Sequence, residues 1–317
     1  MRKNFAITGV AGFVAPRHLR AIQETGNRLV AAADPHDAVG VLDSYSFDVR
    51  FFTEIERFDR HLEKLRRGPD AERVHFVSIC SPNYLHDAHV RLALRAGADA
   101  ICEKPLVISP WNLDALQEIE RETGHRVYSV LQLRLHPALI ALRDRLAAAG
   151  SARHEVELTY VTARGRWYDV SWKGSEERSG GLVLNIGIHF FDLLLWLFGP
   201  VLETAVYERT PRHAVGRLDF ERATVRWLLS SEPAHLLAVT GGTRAGSFRR
   251  MRVDGSEVQF TDGFVDLHTR VYEEVLAGRG AGIDEARPAI ELAHRIRHQT
   301  VTPATAAAGS PLSVLIP

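Results

Sequence analysis

The sequence predicts an α/β chain in two parts. A parallel sheet with helices on both faces occupies residues 1–133, and an α+β domain with an open antiparallel sheet follows over 134–317. Three observations carry this. Short apolar strands alternate with helical stretches of roughly 10 to 15 residues through the first part, which implies βαβ units. A glycine-rich turn, Gly9 to Gly12, joins the first strand to the first helix. After about Leu133 the pattern changes to β-prone runs separated by turn signals.

Phe5 to Thr8 is a short apolar strand, and Pro16 opens a helix to about Thr25 that Gly26 stops. Leu29 to Ala33 and Phe51-Phe52 are the next strands, followed by a helix from about Phe58 to Arg67. Val74 to Cys80 is strongly β-prone; Tyr84 to Ala96 is helical and ends at Gly97. Ala100 to Cys102 is a strand, Asn112 to Thr123 a helix and Val127 to Leu131 a strand. His136-Pro137 then opens a helix to Ala149. Strands are expected at Glu155–Val161, Ala205–Thr210, Ala223–Leu229, Leu236–Thr240 and, in pieces, Phe248–Val258. Asp254-Gly255 and Asp262-Gly263 mark turns. A helix over about Glu285 to Arg297 precedes a tail of Thr, Pro, Ala and Gly.

Composition excludes several function classes. Apolar residues are 45% and charged residues 25%, enough for a packed core. Thirty-nine basic residues balance thirty-nine acidic ones, which argues against a nucleic-acid or membrane binder working through bulk charge. A small anionic ligand needs only a local basic pocket. Two cysteines, Cys80 and Cys102, make no CxxC pair, so a disulfide scaffold or zinc ribbon is excluded and a reducing, cytoplasmic setting is expected. The apolar run near Met1 is too short for a signal peptide. Leu182 to Phe198 is apolar but carries Asn185, His189 and Asp192; a spanning helix wants about 20 uninterrupted apolar residues. It reads as a buried helix with a polar stripe. His86 and His89 lack a third ligand at a convincing spacing, so no metal site is expected.

Four features carry chemistry. The turn Gly9-Val10-Ala11-Gly12-Phe13-Val14-Ala15 departs from the G-x-G-x-x-G/A dinucleotide fingerprint by one position. Gly9 would make the tight turn and Gly12 would let the backbone approach a pyrophosphate at the helix N-terminus. Asp34 ends the second strand, where a carboxylate accepts ribose hydroxyls and repels a 2′-phosphate; this favours NAD over NADP, the alternative being a turn cap. Lys104, in Glu103-Lys104-Pro105, follows a strand and projects into the crevice where open α/β sheets bind ligands, and Ser81-Pro82-Asn83 borders the same crevice. Asn185, His189 and Asp192 fall four and three residues apart, on one face of a single helix. Asp192 would then fix the tautomer of His189, leaving its other nitrogen as a general base.

Together these pieces resemble the Gfo/Idh/MocA oxidoreductase family over nearly the whole chain. The resemblance rests on the turn at 9–12, Asp34, Ser81-Pro82-Asn83 with His86, Glu103-Lys104-Pro105 and Asn185-Ile186-Gly187-Ile188-His189-Phe190-Phe191-Asp192. It implies a Rossmann domain, a sheet domain that often builds the oligomer interface, and a cis bond between Lys104 and Pro105. It implies NAD contacts from Gly9, Ala11, Gly12, Phe13, Val14, Asp34, Ser81, Pro82, Asn83, His86, Glu103, Lys104, Gln132, Trp167 and Tyr168. Many members have aspartate where this chain has Asn185, which leaves Lys104 and His189 as the proton-handling pair.

Three further segments, Gly12 to His18, Leu131 to Pro137 and Gly165 to Gly174, look like a narrower group, the sugar-nucleotide 3-dehydrogenases of the WlbA/WbpB type. That resemblance implies oxidation of UDP-N-acetyl-glucosaminuronic acid at C3 with NAD, on a route to bacterial surface polysaccharide, with 2-oxoglutarate as a candidate hydride acceptor. Substrate contacts fall to Lys104, Arg134, Arg164, Tyr168, Lys173, Asn185 and His189, and the protein is expected to be a homodimer or homotetramer. The cations suit an anionic sugar nucleotide; Trp167, Tyr168 and Trp172 suit a sugar wall or a hydrophobic loop anchor. A dehydrogenase of a free sugar or cyclitol and a non-catalytic dinucleotide sensor remain as alternatives.

Overall fold

Every residue of the first strand, β1 (Asn4–Thr8), is buried, as a parallel strand covered on both faces requires. In this computed structural model of the 317-residue chain, residues 2–243, 246–260 and 266–302 are described. They form two units: Met1–Gln132 with Val265–Arg287, and Leu133–Phe264 with Pro288–Pro317. The sequence alone assigns 265–287 to the second domain; in the structure this stretch belongs with the first unit. The expected Asp262-Gly263 turn and the tail from 303 lie outside the described residues.

In the first unit β1 is joined by α1 (Ala15–Glu24), β2 (Arg28–Ala33), β3 (Arg50–Phe52), α2 (Ile55–Arg66) and β4 (Phe76–Ile79). Then come α3 (His86–Arg95), β5 (Asp99–Cys102), α4 (Asn112–Thr123) and β6 (Val127–Ser129). The strands order as β3-β2-β1-β4-β5-β6, all parallel. Strand order reverses between β1 and β4, and loops leaving their carboxyl ends meet at the crevice where such sheets bind ligands. Pro16 sits in the first turn of α1, and Gly124 closes α4 at φ 71°.

The second unit opens with α5 (Pro137–Ala148), whose cap residue His136 accepts from the Ala138 N–H, and β7 (His154–Val161). Four short helices follow: α6 (Trp167–Val170), α7 (Glu176–Ser179), α8 (Gly181–Asn185) and α9 (Ile188–Phe198). The rest comprises β8 (Val201–Arg209), β9 (His213–Phe220), β10 (Ala223–Ser230), α10 (Pro233–Val239), β11 (Phe248–Val253) and β12 (Ser256–Glu257). The sheet runs β12-β11-β7-β10-β9-β8 and is mostly antiparallel, but β7 and β10 pair in parallel, which the expected antiparallel sheet does not include.

Three local expectations need correction. Leu236–Thr240 is not a strand, because Pro233 starts a helix and a short apolar run carries no period of its own. Strand β9 has no clear alternation in the sequence, where Gly216 interrupts it; a side chain at 216 would meet the Trp227 ring at 2.5 Å. Residues 182–198 are two helices, bent by 43° between Asn185 and Ile188. Gly187 sits at that break, where a Cβ would lie 2.7 Å from Leu229 and Phe191. Among the described residues no single helix is long and apolar enough to cross a membrane, and most of α9 is buried.

Two more helices complete the described residues: α11 (Leu267–Leu276), packed on α1 in the first unit, and α12 (Ile283–His298), which carries Pro288 where the chain passes to the second. Helix α11 brings a polar group into the interior of the first unit. Glu103 Oε1 lies 3.0 Å from His18 Nε2 and 3.1 Å from His268 Nε2. His18 Nδ1 lies 2.8 Å from the Tyr272 hydroxyl, which is 2.6 Å from Ser78 Oγ. Burial alone would raise the Glu103 pKa, but the bonds from His18 and His268 outweigh it and hold the carboxyl well below the usual range. Burial lowers His18, so its ring is neutral at pH 7.

Two outcomes follow for stability. Gly9 has φ +75°, and a Cβ there would lie 2.5 Å from the Cys80 backbone. Gly9→Ala is therefore expected to cost at least about 3 kcal/mol, read as a lower urea midpoint. Glu103 is ionised in the folded state well below the pKa of about 4.3 it has unfolded. Its stabilisation is thus complete above that pH and lost as pH falls toward the folded value. Glu103→Gln is expected to be less stable than the parent at pH 7 by about 1–3 kcal/mol. Its urea midpoint should also fall less steeply than the parent's between pH 5 and pH 3.

Candidate active site

The glycine turn is held by its own backbone. Gly9 N–H donates to Ala33 O at 2.8 Å, and Gly12 N–H donates to Gly9 O at 3.0 Å. A Cβ on Gly12 would lie 2.9 Å from Gly9 O, so both glycines are needed by the turn itself. The start of α1 has no capping side chain and no acid in its first turn, which leaves its positive end suited to an anion. Ala11 and Phe13 are exposed and Val14 is half-buried. The Phe13 ring is 83% exposed, with the Arg17 guanidinium 5.6 Å from its centroid.

Asp34 serves the turn as well as facing it. Its Oδ2 accepts from Ala11 N–H and its Oδ1 from His36 N–H, both at 2.9 Å. Each carboxylate oxygen retains a second lone pair, so both uses are compatible: bracing the loop and accepting from a ribose hydroxyl. An uncapped helix end, a glycine-tight turn and this acid together fit a dinucleotide.

Beyond β4, Ser81 and Asn83 are buried and Pro82 is half-buried. Ser81 Oγ lies 2.8 Å from His89 Nδ1; burial, reinforced by the neighbouring His86, lowers His89 to about 4 and keeps it neutral. His86 is buried with Nδ1 2.7 Å from Pro105 O and Nε2 2.8 Å from Ser81 O. It therefore ties the Ser81 turn to the Glu-Lys-Pro turn. Lys104 is half-buried and its bond to Pro105 is cis. The neighbouring carboxylate of Glu103 is committed to His18 and His268. Gln132 is half-buried in a short turn over Gln132–Leu135.

The second unit gathers aromatics, cations and the polar residues of α8 and α9. Trp167 is exposed and Tyr168 buried. The Lys173 ammonium stands 5.7 Å from the Trp167 ring and 5.6 Å from the Trp172 ring. Burial, aided by Arg164, lowers its pKa. Arg164 is half-buried beside the strand end, its N–H donating to Ser231 O. The Tyr168 hydroxyl faces Asn185; burial raises the phenol and the amide acts against that.

Asn185 ends α8 while His189 and Asp192 lie on α9, so the stripe is not one continuous helical face. Asp192 does not orient His189. It accepts from Arg134 Nη2 at 2.6 Å and Nε at 3.1 Å, because a nearly buried carboxylate is best satisfied by a bidentate cation. Burial still raises the Asp192 pKa against that guanidinium. Lys104 belongs to the first unit and His189 to the second. Sequence reasoning missed His18, His268 and Tyr272. His18 falls within a segment already singled out, but His268 is 165 residues from Glu103 and nothing local marks it.

Comparison with known proteins places the two parts of the chain in a family. Residues 3–131 match the NAD-binding Rossmann fold of an oxidoreductase family, and residues 154–231 match that family's C-terminal alpha/beta domain. The WlbA (WbpB) dehydrogenase from Thermus thermophilus, solved with NAD and alpha-ketoglutarate, is 50% identical at a TM-score of 0.90, over 96% of this chain and 97% of that one. Its complex with NAD and UDP-GlcNAcA gives 49% identity and a TM-score of 0.91, over 96% and 98%. Inositol 2-dehydrogenase from Rhizobium meliloti (strain 1021) is 27% identical over 265 residues, 81% of this chain and 74% of that protein. The chain belongs to the Gfo/Idh/MocA oxidoreductase family, with residues 3–131 as its NAD-binding Rossmann domain.

Proposed function

We propose that this chain is a sugar-nucleotide 3-dehydrogenase that oxidises the C3 hydroxyl of UDP-GlcNAcA to a ketone. The observation that carries the reading is 50% identity across 96% of the chain to a dehydrogenase crystallised with NAD, and in a second complex with UDP-GlcNAcA. The local chemistry supports it: an anion-suited helix end with Asp34 in one unit, aromatics and cations in the other. Bound NAD supplies the acceptor for the C3 hydride. Lys104 or His189 takes the single hydroxyl proton as the C3–O bond becomes a carbonyl. Arg134, Arg164 and Lys173 are assigned to the substrate's anionic groups, the first of them oriented by its bidentate bond to Asp192. Tyr168 and Asn185 are assigned to the sugar. The reading includes 2-oxoglutarate as the compound that takes the hydride back, which the alpha-ketoglutarate complex of the relative supports. It also includes a homo-oligomer in the cytoplasm, on a route to surface polysaccharide.

The test is turnover. Protein incubated with NAD, UDP-GlcNAcA and 2-oxoglutarate is expected to yield a 3-keto sugar nucleotide and 2-hydroxyglutarate, both read by mass spectrometry. Free sugars and inositols should give neither; an inositol ketone would establish the cyclitol alternative. Absence of product from every sugar, with NAD still bound, would favour a sensor. Lys104→Ala and His189→Asn are each expected to lower kcat by about 10²–10⁴-fold. Full turnover in the double variant would remove both roles.

A further inference from the structure

Glu103 precedes Lys104, and its two imidazole donors come from distant parts of the chain. His18 is on α1, and His268 is on α11, in the segment that rejoins the first unit after the second sheet. Proton bookkeeping gives the network one direction. An ionised carboxylate only accepts, so His18 and His268 both donate through Nε2. His18 Nδ1 is then an acceptor, taking the Tyr272 O–H, and the Tyr272 oxygen takes the Ser78 O–H. Reversing any one of these bonds leaves a buried polar atom unpaired, which costs about 1–3 kcal/mol.

The peptide around Lys104 is pinned from several sides. Glu103 N–H donates to Ile79 O at 3.0 Å, and Val130 N–H donates to Cys102 O at 2.9 Å. His86 Nδ1 stands 2.7 Å from Pro105 O. The Glu103 side chain adds the tie to α1 and α11. A catalytic group displaced by about 1 Å can lose about 10²-fold in rate, so these anchors bear on the placement of the ammonium.

We propose that His268, acting with His18 and Tyr272 on the Glu103 carboxylate, is a positioning residue for Lys104. The α11 segment returns to the Rossmann sheet to lock the turn that presents the lysine. This rests on the reading of Lys104 as a proton-handling group.

His268→Leu removes the donor, whereas His268→Gln keeps an N–H near the place of Nε2. Tyr272→Phe removes only the hydroxyl that donates to His18. All three are compared with the parent in the full chain with NAD, UDP-GlcNAcA and 2-oxoglutarate. His268→Leu is expected to lower kcat about tenfold or more, with KM for the sugar nucleotide and Kd for NAD within about twofold. His268→Gln should restore most of the loss, and Tyr272→Phe should lower kcat in the same direction by less. Parental kcat in His268→Leu, an equal loss in the Leu and Gln variants, or a loss confined to KM or NAD affinity would each overturn the proposal. Should the Leu variant not fold, parental kcat in Tyr272→Phe overturns it and a lowered kcat supports it. A parent that makes no 3-keto product fails the functional reading and takes the positioning role with it. An active parent with indifferent variants fails this inference alone. His18, Glu103 and His268 also bring their ligand atoms within 4.8 Å of one another. A stoichiometric divalent ion in the parent, lost in His268→Leu, would make this a metal site and overturn the proposal as well.

Discussion

A carboxylate taken inside an α/β domain must find donors there, and in the first unit Glu103 finds them in two imidazoles. Desolvation opposes the charge, yet two hydrogen bonds to one oxygen are enough to keep it ionised. That solution requires α1 to present His18 and α11 to present His268 at the end of β5. It also explains why 265–287 belongs to this unit: without α11 the carboxylate would lose one of its two donors. Tyr272 adds a hydrophobic reason, since its ring stacks on Phe5 of β1 at 5.7 Å. One side chain thus joins the apolar core to the polar network beneath the Lys104 turn.

The crevice at the strand ends is built from backbone as much as from side chains. Gly9 is there because the loop presses against the chain leaving β4, and Gly12 because the turn folds back on Gly9 O; neither contact leaves room for a Cβ. Asp34 then uses one oxygen to brace that loop and the other to hold the turn after β2. His89, lowered to about 4 by burial, meets Ser81 Oγ, and His86 places its two ring nitrogens against the Ser81 and Pro105 carbonyls, so both rings pack the Ser81 turn against its neighbours. Rigidity at this edge comes from a few polar groups whose partners are each other's loops.

In the second unit the decisive constraint is the buried Asp192. Its bidentate bond to Arg134 joins the helix carrying His189 to the turn that follows β6. The break at Gly187 lets the apolar α9 lie close to β10, and Phe191 meets Trp227 edge-on at 5.5 Å. Asn185 and His189 therefore approach their surroundings from different helices, and the nearness of Asn185 to the buried Tyr168 phenol is a tertiary outcome.

Much of this was readable in the sequence, for identifiable reasons. The strands of the first unit are continuous apolar runs because both faces are covered, and their helices have clear starts and stops at Pro16, Gly26, Gly97 and Gly124. The glycine turn, Asp34 and the Glu-Lys-Pro turn are contiguous patterns whose chemistry needs only local geometry. What stayed hidden depends on contacts between residues remote in the chain. The bond between His268 and Glu103, the capture of Asp192 by Arg134 and the parallel pairing of β7 with β10 leave no periodicity behind. The break at 187 was set by neighbours rather than by propensity, whereas the helix at 233–239 follows from Pro233 at its first turn. Local sequence determined most of the elements and marked the residues that are candidates for the chemistry. Only tertiary packing decided which buried charge meets which donor, because desolvation makes each buried polar group depend on whatever the fold brings within hydrogen-bonding reach.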